Sequence, residues 1–589
     1  MSTLDIGIVG NGTIAGLVSA EGDYQWLCLP RFDGEPVFNQ LLGGSGTFSV
    51  WIDGLKSRSQ SYDANTAILR TRLEAEDGAI LEIVDFAPRF ENRGRVFRPV
   101  SIVRRFHVVS GTPRVRITLT PQTDWGARQL PSVRGVNHIR FTDGELAFRV
   151  TTDAPVSYVL SGTSFLLEHD VSFILGADES LTDTVDVITL DWEERTRKYW
   201  SKWSRNLAVP FEWQEATIRA AITLKLCVFE ETGGIVAALT TSVPEHEGSE
   251  RNWDYRFCWI RDAYFTVSAL NRLSAMGTLE HYMRWVRNIV AQSRGGHIQP
   301  VYGIGLEADL TEEIAMHLPG YRGMGPVRRG NQAAEHVQHD VYGQVVLGVA
   351  QSFFDHRLLS PPGIAEFRQL EPVGERAFAV HDTPDAGIWE FRTIANVHTS
   401  SAIMCWAACD RLSKIAAHLG LPDRATYWSE RAAIIHQTIV EKAWNPDIGA
   451  FTAAFGGGEL DASVLLMAEI GFLPAGDARY IATVDAIDKT LREGNHVYRY
   501  KTEDDFGRPK TAFTACTFWH IDALFRVGRA DEAREMFESV LASRNHVGLL
   551  SEDGDPATGD LWGNFPQTYC MVGIINSAAL LSKPWTCVI

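Results

Sequence analysis

The stretch Asp191-Trp-Glu-Glu-Arg-Thr-Arg-Lys-Tyr-Trp-Ser-Lys-Trp-Ser-Arg-Asn-Leu207 separates two halves of the sequence that differ in hydrophobic periodicity. Its charged residues and its Trp and Tyr residues recur at helical spacing, which predicts an amphipathic helix. We interpret residues 191–212 as a helical linker between a β-rich domain, residues 1–190, and a helical domain, residues 213–589. A chain of 589 residues exceeds the size of one compact core, which agrees with this division.

Short alternating runs separated by turn signals fill the part before the linker. Residues 68–73 and 80–86 flank Glu76-Asp-Gly78, a combination typical of a β-hairpin. Residues 103–109 and 115–119 repeat the pattern. Because no helical pattern intervenes between these closely spaced strands, the sequence predicts an N-terminal antiparallel β-sandwich.

After the linker, one helical pattern follows another, with apolar residues at i, i+3 or i+4, and i+7. No repeat of about 30–50 residues is visible, which disfavours a solenoid. We predict a double-layered (α/α)6 barrel, although periodicity alone also permits an irregular helical domain. The ten predicted helices span residues 213–229, 262–275, 279–290, 342–354, 398–419, 424–443, 478–492, 512–527, 530–541 and 568–581.

The bulk composition excludes several classes of partner. A formal net charge of −18 repels nucleic-acid phosphates and anionic membranes, so we expect neither as a partner. A small neutral carbohydrate meets no such objection, and the 17 Trp residues include rings able to stack on sugar faces. No apolar run approaches about 18 residues and no signal-peptide pattern is present, so we expect a cytoplasmic protein. The oligomeric state is left open.

Two motifs that imitate cofactor or metal sites lack the context those sites need. Gly10-Asn-Gly-Thr-Ile-Ala-Gly16 imitates a dinucleotide fingerprint, but Glu21-Gly-Asp23 predicts a turn between strands where a helix is required. His336 and His339 have helical spacing but no third ligand. Eight scattered cysteines show no zinc-type spacing. We therefore expect neither a cofactor nor a metal.

Carboxylates in loops near aromatic residues are the remaining candidates for chemistry. Glycoside cleavage needs a protonated carboxyl group, which protonates the leaving oxygen, and an ionised carboxylate, which acts on water or on the anomeric carbon. Glu390 lies beside Trp389 in a predicted loop before a long helix, and Glu552 lies in a predicted turn before the last helix. A third acidic cluster, Thr311-Glu-Glu313, lies in a Gly-rich stretch. Any single Glu among 73 acidic residues is by default a surface charge.

Four motifs in a fixed order strengthen the case. They are Ile8-Val-Gly-Asn-Gly-Thr-Ile-Ala-Gly-Leu-Val-Ser19 with Trp26-Leu-Cys-Leu-Pro-Arg-Phe-Asp33, then Asn252-Trp-Asp-Tyr-Arg-Phe-Cys-Trp-Ile-Arg-Asp262, then Gly387-Ile-Trp-Glu390, and finally Ser551-Glu-Asp-Gly-Asp555 with Gly563-Asn-Phe-Pro-Gln567. Together they resemble glycoside hydrolase family 15, the family of glucoamylases and bacterial trehalases. The resemblance covers essentially the whole chain.

The resemblance implies a role for each matching residue. Glu390 would be the general acid and Glu552 the general base. The implied substrate-binding residues are Tyr255 and Trp259 as pocket lining, Arg261 and Asp262 as partners of the sugar hydroxyls, Arg322 as a contact from Pro319-Gly-Tyr-Arg-Gly323, and Trp389 and Arg392 as neighbours of the acid.

One departure concerns Gly554, because family members usually carry an aromatic residue two positions after the base. The resemblance therefore assigns Glu552, but it assigns neither the residues that wall the water site nor the preferred leaving group.

The function that we expect is an inverting, exo-acting α-glucoside hydrolase that releases β-glucose from the non-reducing ends of maltooligosaccharides. Inversion requires the two carboxyl groups to lie about 6.5–9.5 Å apart. The alternatives are a trehalase that splits α,α-trehalose, a disaccharide phosphorylase, and a non-catalytic glucan-binding protein in which Gly554 has disabled the water site.

Overall fold

The computed structural model describes residues 4–587 of the chain. Its first part is built from short strands, as the alternating apolar pattern predicts. These strands are β1 (Ile6–Gly10), β2 (Ala15–Ser19), β3 (Tyr24–Leu29), β4 (Glu35–Phe38), β5 (Thr47–Ile52), β6 (Leu55–Tyr62), β7 (Leu69–Ala75), β8 (Ile80–Phe86), β9 (Phe90–Asn92), β10 (Arg95–Phe97), β11 (Ile102–Ser110), β12 (Arg114–Thr120), β13 (Gln122–Thr123), β14 (Arg128–Gln129), β15 (Ser132–Arg134), β16 (His138–Asp143), β17 (Leu146–Thr152), β18 (Phe165–Leu166) and β19 (Val171–Gly176).

Two antiparallel sheets face each other across a shared core. Within residues 4–587, one sheet has the order β1-β2-β3-β5-β12-β18 with β4 beside β3, and the other has the order β15-β16-β17-β19-β11-β8-β7-β6. Phe48 of the first sheet packs edge-on against Phe173 of the second, with ring centroids 5.3 Å apart. Arg104 is fully buried between the sheets, where it pairs with Asp85 and donates to the Phe48 carbonyl. The predicted β-sandwich is confirmed.

The glycine-rich segment at the start of the chain is a hairpin. Its residues connect β1 to β2, and Gly10 pairs with Ala15 in antiparallel register. A strand-to-helix turn, which a dinucleotide site needs, is therefore not formed here.

The second part is helical. Its helices have apolar faces at helical spacing that pack on one another, as the sequence predicts. Helix α1 (Val156–Ser161) lies within the first part, and α2 (Val185–Arg205) connects the two parts. The helices of the second part are α3 (Gln214–Leu226), α4 (Ile260–Arg272), α5 (Met276–Ser293), α6 (Asp340–Ala350), α7 (Ile364–Val380), α8 (Thr399–His418), α9 (Pro422–Ala443), α10 (Met467–Ile470), α11 (Ala478–Leu491), α12 (Thr514–Arg526), α13 (Ala530–Ala542) and α14 (Thr568–Leu581).

Alternate helices form two concentric rings. The inner ring runs α4, α6, α8, α10, α12 and α14, and each member contacts the next, α10 through the 3-10 turn Ala462–Leu466 that precedes it. The helix α14 also contacts α4, which closes the ring. The outer ring consists of α3, α5, α7, α9, α11 and α13. Among the described residues this is the predicted (α/α)6 barrel.

Two of these twelve helices were not predicted from the sequence. The helix α7 contains Pro372, which breaks the helical pattern, and its start is stabilised by Glu366, which accepts a hydrogen bond from the Gly363 N–H. The helix α10 is short and continues the 3-10 turn Ala462–Leu466, so it shows no helical periodicity of its own. The linker helix α2 starts at Val185, six residues before the predicted linker.

The sandwich and the barrel share one continuous apolar core. The indole of Trp26 in β3 donates to the carbonyl of Leu239 at 2.9 Å, on the segment that precedes the cavity loops of the barrel. Arg256, also buried, donates to the carbonyl of Gly34 at 2.6 Å. Between residues 4 and 587, no helix combines the length and the apolarity that crossing a membrane requires.

Candidate active site

A cavity opens at the end of the barrel where the inner helices begin. Its walls come from the segments that lead into α4, α6, α8, α12 and α14. In the described part of the chain its lining includes nine aromatic residues, six acidic residues and four arginines. A concave, aromatic site with a few convergent charges is typical of a small-molecule pocket.

Glu552 lies at one wall of the cavity and is 1% exposed. The two-residue strand Asp553–Gly554, which follows it, pairs with Ala512–Phe513 and Leu561–Trp562, so this small sheet fixes the backbone. Gly563 has a positive φ of 76°, and a Cβ atom there would lie 2.6 Å from the Glu552 Cβ. The next amide, of Asn564, donates to Glu552 Oε2 at 3.4 Å. The Gly-Asn segment of the last motif therefore makes room for the carboxylate and holds it.

Glu390 lies in the tight loop before α8. Its φ of 62° is in the left-handed region, which a residue with a side chain rarely adopts, and its amide donates to the Gly387 carbonyl at 3.1 Å. Backbone strain of this kind is common at functional sites. Both hydrogen bonds that Glu390 accepts within residues 4–587 use Oε1 and neither uses Oε2.

Two aromatic residues connect these carboxyl groups. The Tyr255 hydroxyl donates to Glu552 Oε1 at 2.6 Å, and the Trp259 indole donates to Glu390 Oε1 at 2.5 Å. The two rings pack edge to face with centroids 5.4 Å apart. Both residues belong to the Trp-Asp-Tyr-Arg-Phe-Cys-Trp segment before α4, so one short segment aligns both carboxyl groups.

Arg261 and Asp262 lie in the first turn of α4 and line the cavity. The Arg261 guanidinium donates to Asp262 Oδ2 at 3.2 Å and to the Ile388 carbonyl at 2.9 Å. Its Nη2 atom also lies 3.5 Å from Glu390 Oε1. Burial raises the pKa of Asp262 to about 6, although Arg261 opposes the shift. An arginine paired with a carboxylate offers both donors and acceptors to sugar hydroxyls.

The predicted neighbours of the acid also line the cavity. The Trp389 indole donates to Asp461 Oδ2 at 2.6 Å. The Arg392 guanidinium stacks over Trp253, 4.6 Å from the ring centroid, and donates to Glu312 at 3.1 Å. Both side chains are therefore held by partners outside the reacting groups.

The structure does not bring Arg322 into the cavity. Its side chain is exposed and lies against the rings of Tyr321 and Trp562, at 5.4 Å and 6.0 Å from their centroids. Its loop turns the side chain outward, with a φ of 52° at Arg322 itself. We therefore remove Arg322 from the proposed substrate-binding residues. Glu313 also lies outside the cavity, as an exposed residue paired with Arg329.

Gly554 does not line the cavity either. A Cβ atom at this position would meet the His496 ring at 3.4 Å and Thr514 Oγ1 at 4.0 Å. The space beside Gly554 is therefore bounded by His496 and Thr514, and not by the carboxylate of Glu552. The missing aromatic residue gives no structural reason for a disabled water site.

The motifs missed several residues that the fold brings to the cavity. Buried Arg499 forms an ion pair with buried Glu245, and Arg251 lies 3.9 Å from the same carboxylate. Trp253 belongs to a quoted motif but was given no role there, and Phe506 lies in a polar turn far along the chain. These residues follow no spacing rule with Glu390 or Glu552, so only the tertiary structure reveals them.

Three carboxyl groups cluster around Glu552. One oxygen each from Glu245, Glu552 and Asp553 lies within 4.8 Å of the others, and all three residues are buried. Burial raises the pKa of Glu552, and the carboxylates of Glu245 and Asp553 raise it further, while Tyr255 lowers it. Burial likewise raises the pKa of Asp553 to about 8. A raised pKa makes an ionised Glu552 a stronger base.

Within residues 4–587, the carboxylate oxygens of Glu245, Glu552 and Asp553 are the ones close enough together to hold a cation. Arg499 already neutralises Glu245, and Tyr255 already donates to Glu552. His336 and His339 do not form such a group: His336 lines the cavity, and burial lowers the pKa of His339 to about 4.

Comparison with known proteins identifies a family for each part of the chain. Residues 213–579 match glycosyl hydrolases family 15, and residues 5–173 match the trehalase-like N-terminal family. A trehalase of Thermoplasma volcanium is 32% identical over 98% of this chain and 93% of its own length. A trehalase of Mycobacterium tuberculosis is 31% identical over 95% of this chain and 87% of its own length.

A solved structure supports the fold. A bacterial glucoamylase complexed with acarbose superimposes with a TM-score of 0.72 over 98% of this chain and 94% of its own, at 12% identity. Since the family match covers more than half of the chain, and relatives above 30% identity span nearly all of it, the chain belongs to glycosyl hydrolases family 15 and is a glycoside hydrolase.

Proposed function

We propose that this glycoside hydrolase splits α,α-trehalose with inversion, with Glu390 as general acid and Glu552 as general base. The observation that carries the proposal is that both carboxyl groups line one cavity and are joined through Tyr255 and Trp259. Arg261 and Asp262, which line the same cavity, would bind the hydroxyls of the glucose that is attacked. Trp389 and Arg392 would flank the leaving group.

The proposed reaction is a single displacement. Oε2 of Glu390 carries the proton and delivers it to the glycosidic oxygen, while the ionised carboxylate of Glu552 removes a proton from water. The water oxygen attacks the anomeric carbon from the opposite face as the glycosidic bond breaks. The attacked sugar leaves as β-glucose and the other as α-glucose. Glu390 ends the step ionised and Glu552 protonated, and proton exchange with solvent restores both before the next turnover.

Trehalose replaces maltooligosaccharides as the preferred substrate. The sequence motifs do not separate the two, but the relatives that match this chain over nearly its whole length are named trehalases. The likeness to a glucoamylase structure is a likeness of fold at 12% identity. The location in the cytoplasm stays a prediction from the sequence.

Separate incubation with trehalose and with maltotriose, followed by a glucose assay, tests the substrate. We expect trehalose to be the better substrate, and proton NMR at early times should show equal amounts of α- and β-glucose. Preferred hydrolysis of maltotriose would return the assignment to the glucoamylase type. Phosphate-dependent release of glucose 1-phosphate would indicate a phosphorylase, and binding without hydrolysis a glucan-binding protein.

Substitution of the carboxyl groups tests the residue assignment. Glu390→Gln and Glu552→Gln should each lower kcat by on the order of 10²–10⁴-fold, because each removes one proton transfer. Glu313→Gln is the matched control, since Glu313 is exposed and outside the cavity. A Glu390→Gln enzyme that keeps most of its activity, while Glu313→Gln loses it, would show the acid assignment to be wrong.

A further inference from the structure

A four-residue turn reaches into the cavity from the segment before α12. Residues 504–507 form this turn, in which the Gly507 amide donates to the Asp504 carbonyl at 3.1 Å. Asp504, Asp505 and Phe506 all contribute to the cavity wall. No motif pointed to this turn, and the residue roles assigned above do not use it. We call residues 504–507 the strap.

The strap is tied to two other walls of the site. Arg251 donates from Nη2 to Asp504 Oδ1 at 2.5 Å and to the Gly507 carbonyl at 2.7 Å. On the other side, Asp505 accepts hydrogen bonds from the amides of Arg392 and Thr393, at 2.6 Å and 3.1 Å. Both carboxylates are thus used to hold the strap against the loop of Glu390 and against the segment before α4.

These ties place one aromatic ring of the strap against a second aromatic ring and an arginine. Phe506 packs edge-on against Trp253, with centroids 5.1 Å apart, and is 37% exposed. The Arg392 guanidinium lies 5.5 Å from the Phe506 centroid and 4.6 Å from the Trp253 centroid. Aromatic faces stack on the apolar faces of sugars, and a guanidinium donates to their hydroxyls.

The position of this cluster relative to the acid identifies what it contacts. Arg392 is two residues after Glu390 in the same loop, and Glu390 protonates the oxygen of the departing sugar in the proposed mechanism. Arg261 and Asp262 line the cavity from the first turn of α4 and are the proposed partners of the attacked sugar. The cluster of Trp253, Arg392 and Phe506 therefore lies where the leaving sugar must be held.

We propose that Trp253, Arg392 and Phe506 form the binding subsite for the leaving glucose, and that the anchored strap holds the Phe506 ring in this subsite. The proposal rests on the function proposed above, because it assigns the side of the leaving sugar from the role of Glu390.

The test compares two substrates that differ in their leaving group. Trehalose carries a leaving sugar, whereas α-glucosyl fluoride carries none, so only trehalose uses the subsite. Phe506→Ala and Arg392→Lys should each lower kcat/KM for trehalose by on the order of 10–100-fold more than they lower it for the fluoride. Arg392→Lys keeps the charge but loses the planar stacking group.

Phe354→Ala is the matched control: Phe354 is similarly exposed, at 42%, and lies outside the cavity. It should leave both substrates at wild-type rates, and thermal unfolding confirms that each variant is folded. Equal losses for trehalose and the fluoride in both Phe506→Ala and Arg392→Lys would overturn the subsite. If the wild type cleaves maltose and the fluoride but not trehalose, the proposed substrate fails, and the same ratio measured with maltose still decides the subsite.

Discussion

In the proposed mechanism, the Tyr255 hydroxyl controls the protonation of Glu552, the general base. Tyr255 donates to Glu552 Oε1 at 2.6 Å, and it opposes the pKa rise that burial and the carboxylates of Glu245 and Asp553 cause. A base in an inverting glycosidase must be ionised when water attacks. Tyr255 is therefore expected to set how far down in pH the enzyme works.

Tyr255→Phe tests this expectation. Loss of the hydrogen bond should raise the pKa of Glu552, so the acid limb of the kcat/KM profile should move to higher pH. A hydrogen bond to a charged group contributes about 1.5–3 kcal/mol, so kcat should fall about 10-fold or more. Tyr480→Phe is the control, since its buried hydroxyl donates to the Leu465 carbonyl outside the cavity. An unmoved acid limb in Tyr255→Phe would contradict the assigned role.

A second residue-scale prediction concerns Asp522 in the inner helix α12. Burial raises its pKa to about 7, and the nearby Glu469 carboxylate raises it further, while Ser577, Arg526 and Arg272 lower it. Because the folded pKa exceeds the unfolded one, the stability from the protonated form is complete at low pH and is lost as pH rises through about 7.

Asp522→Asn mimics the protonated form at every pH. From pH 5 to pH 8, the Tm of the wild type should therefore fall more than that of Asp522→Asn, by roughly 1–3 °C. Differential scanning calorimetry at several pH values measures both slopes. Parallel slopes would show that Asp522 does not retain its proton in the folded protein.

The scale of the element shows why the site lies at this end of the barrel. The helices α4, α6, α8, α12 and α14 all begin at the cavity, so their first turns and the loops before them converge. Helix N-termini present unpaired N–H groups and positive partial charge, which favour nearby carboxylates. An acid-rich cavity is thus compatible with this end of the ring.

Asp461 caps the start of a 3-10 turn and also contacts Trp389 in the cavity wall. It caps the 3-10 turn Ala462–Leu466 by accepting from the Ser463 amide at 2.7 Å, and it also accepts from the Trp389 indole at 2.6 Å. Asp461→Ala should lower the free energy of unfolding by about 1 kcal/mol through the lost cap. It should also lower kcat/KM about 10-fold, because Trp389 next to the acid loses its partner.

Asp477→Ala separates the two effects. Asp477 caps α11 in the outer ring by accepting from the Arg479 amide at 2.9 Å, so its loss should cost similar stability. Asp477 does not line the cavity, so we expect wild-type kinetics for this variant. If both variants show the same kinetic loss, Asp461 acts through stability alone.

At the scale of the whole molecule, the sandwich and the barrel hold each other. The Asn545 side chain in the barrel donates to the Leu4 and Ile6 carbonyls at 2.9 Å each. Buried Glu230 pairs with Arg89 of the sandwich and with Lys225, and these cations lower the Glu230 pKa. Removal of one partner from a buried ion pair typically costs about 3–5 kcal/mol, so the two domains depend on this contact.

Cleavage of the segment between α2 and α3 tests that dependence. A protease site placed within residues 206–213 should yield two fragments that stay together in size-exclusion chromatography and keep most of the activity. The uncut protein with the same insertion is the control. Fragments that separate without denaturant would show that the covalent connection, and not the interface, keeps the domains together.

The sequence by itself determined the two-part organisation. Period-2 alternation and hairpin signals before residue 190, and helical spacing after residue 213, follow from local backbone geometry, which each stretch expresses on its own. Ten of the twelve barrel helices were predicted for this reason. The helices α7 and α10 were not, because Pro372 and a 3-10 start remove the local pattern. The ordered motifs singled out Glu390 and Glu552 as candidates.

Only the tertiary structure decided what surrounds those carboxyl groups. Arg499 and Glu245 are 254 positions apart in the sequence and form one buried ion pair beside Glu552. Arg322 belongs to a promising motif, yet its loop directs it to the surface. The strap reaches Arg251 and Arg392 from more than 100 residues away. Such contacts arise from closure of the helical ring, which brings distant loops together with no spacing rule that a single sequence could display.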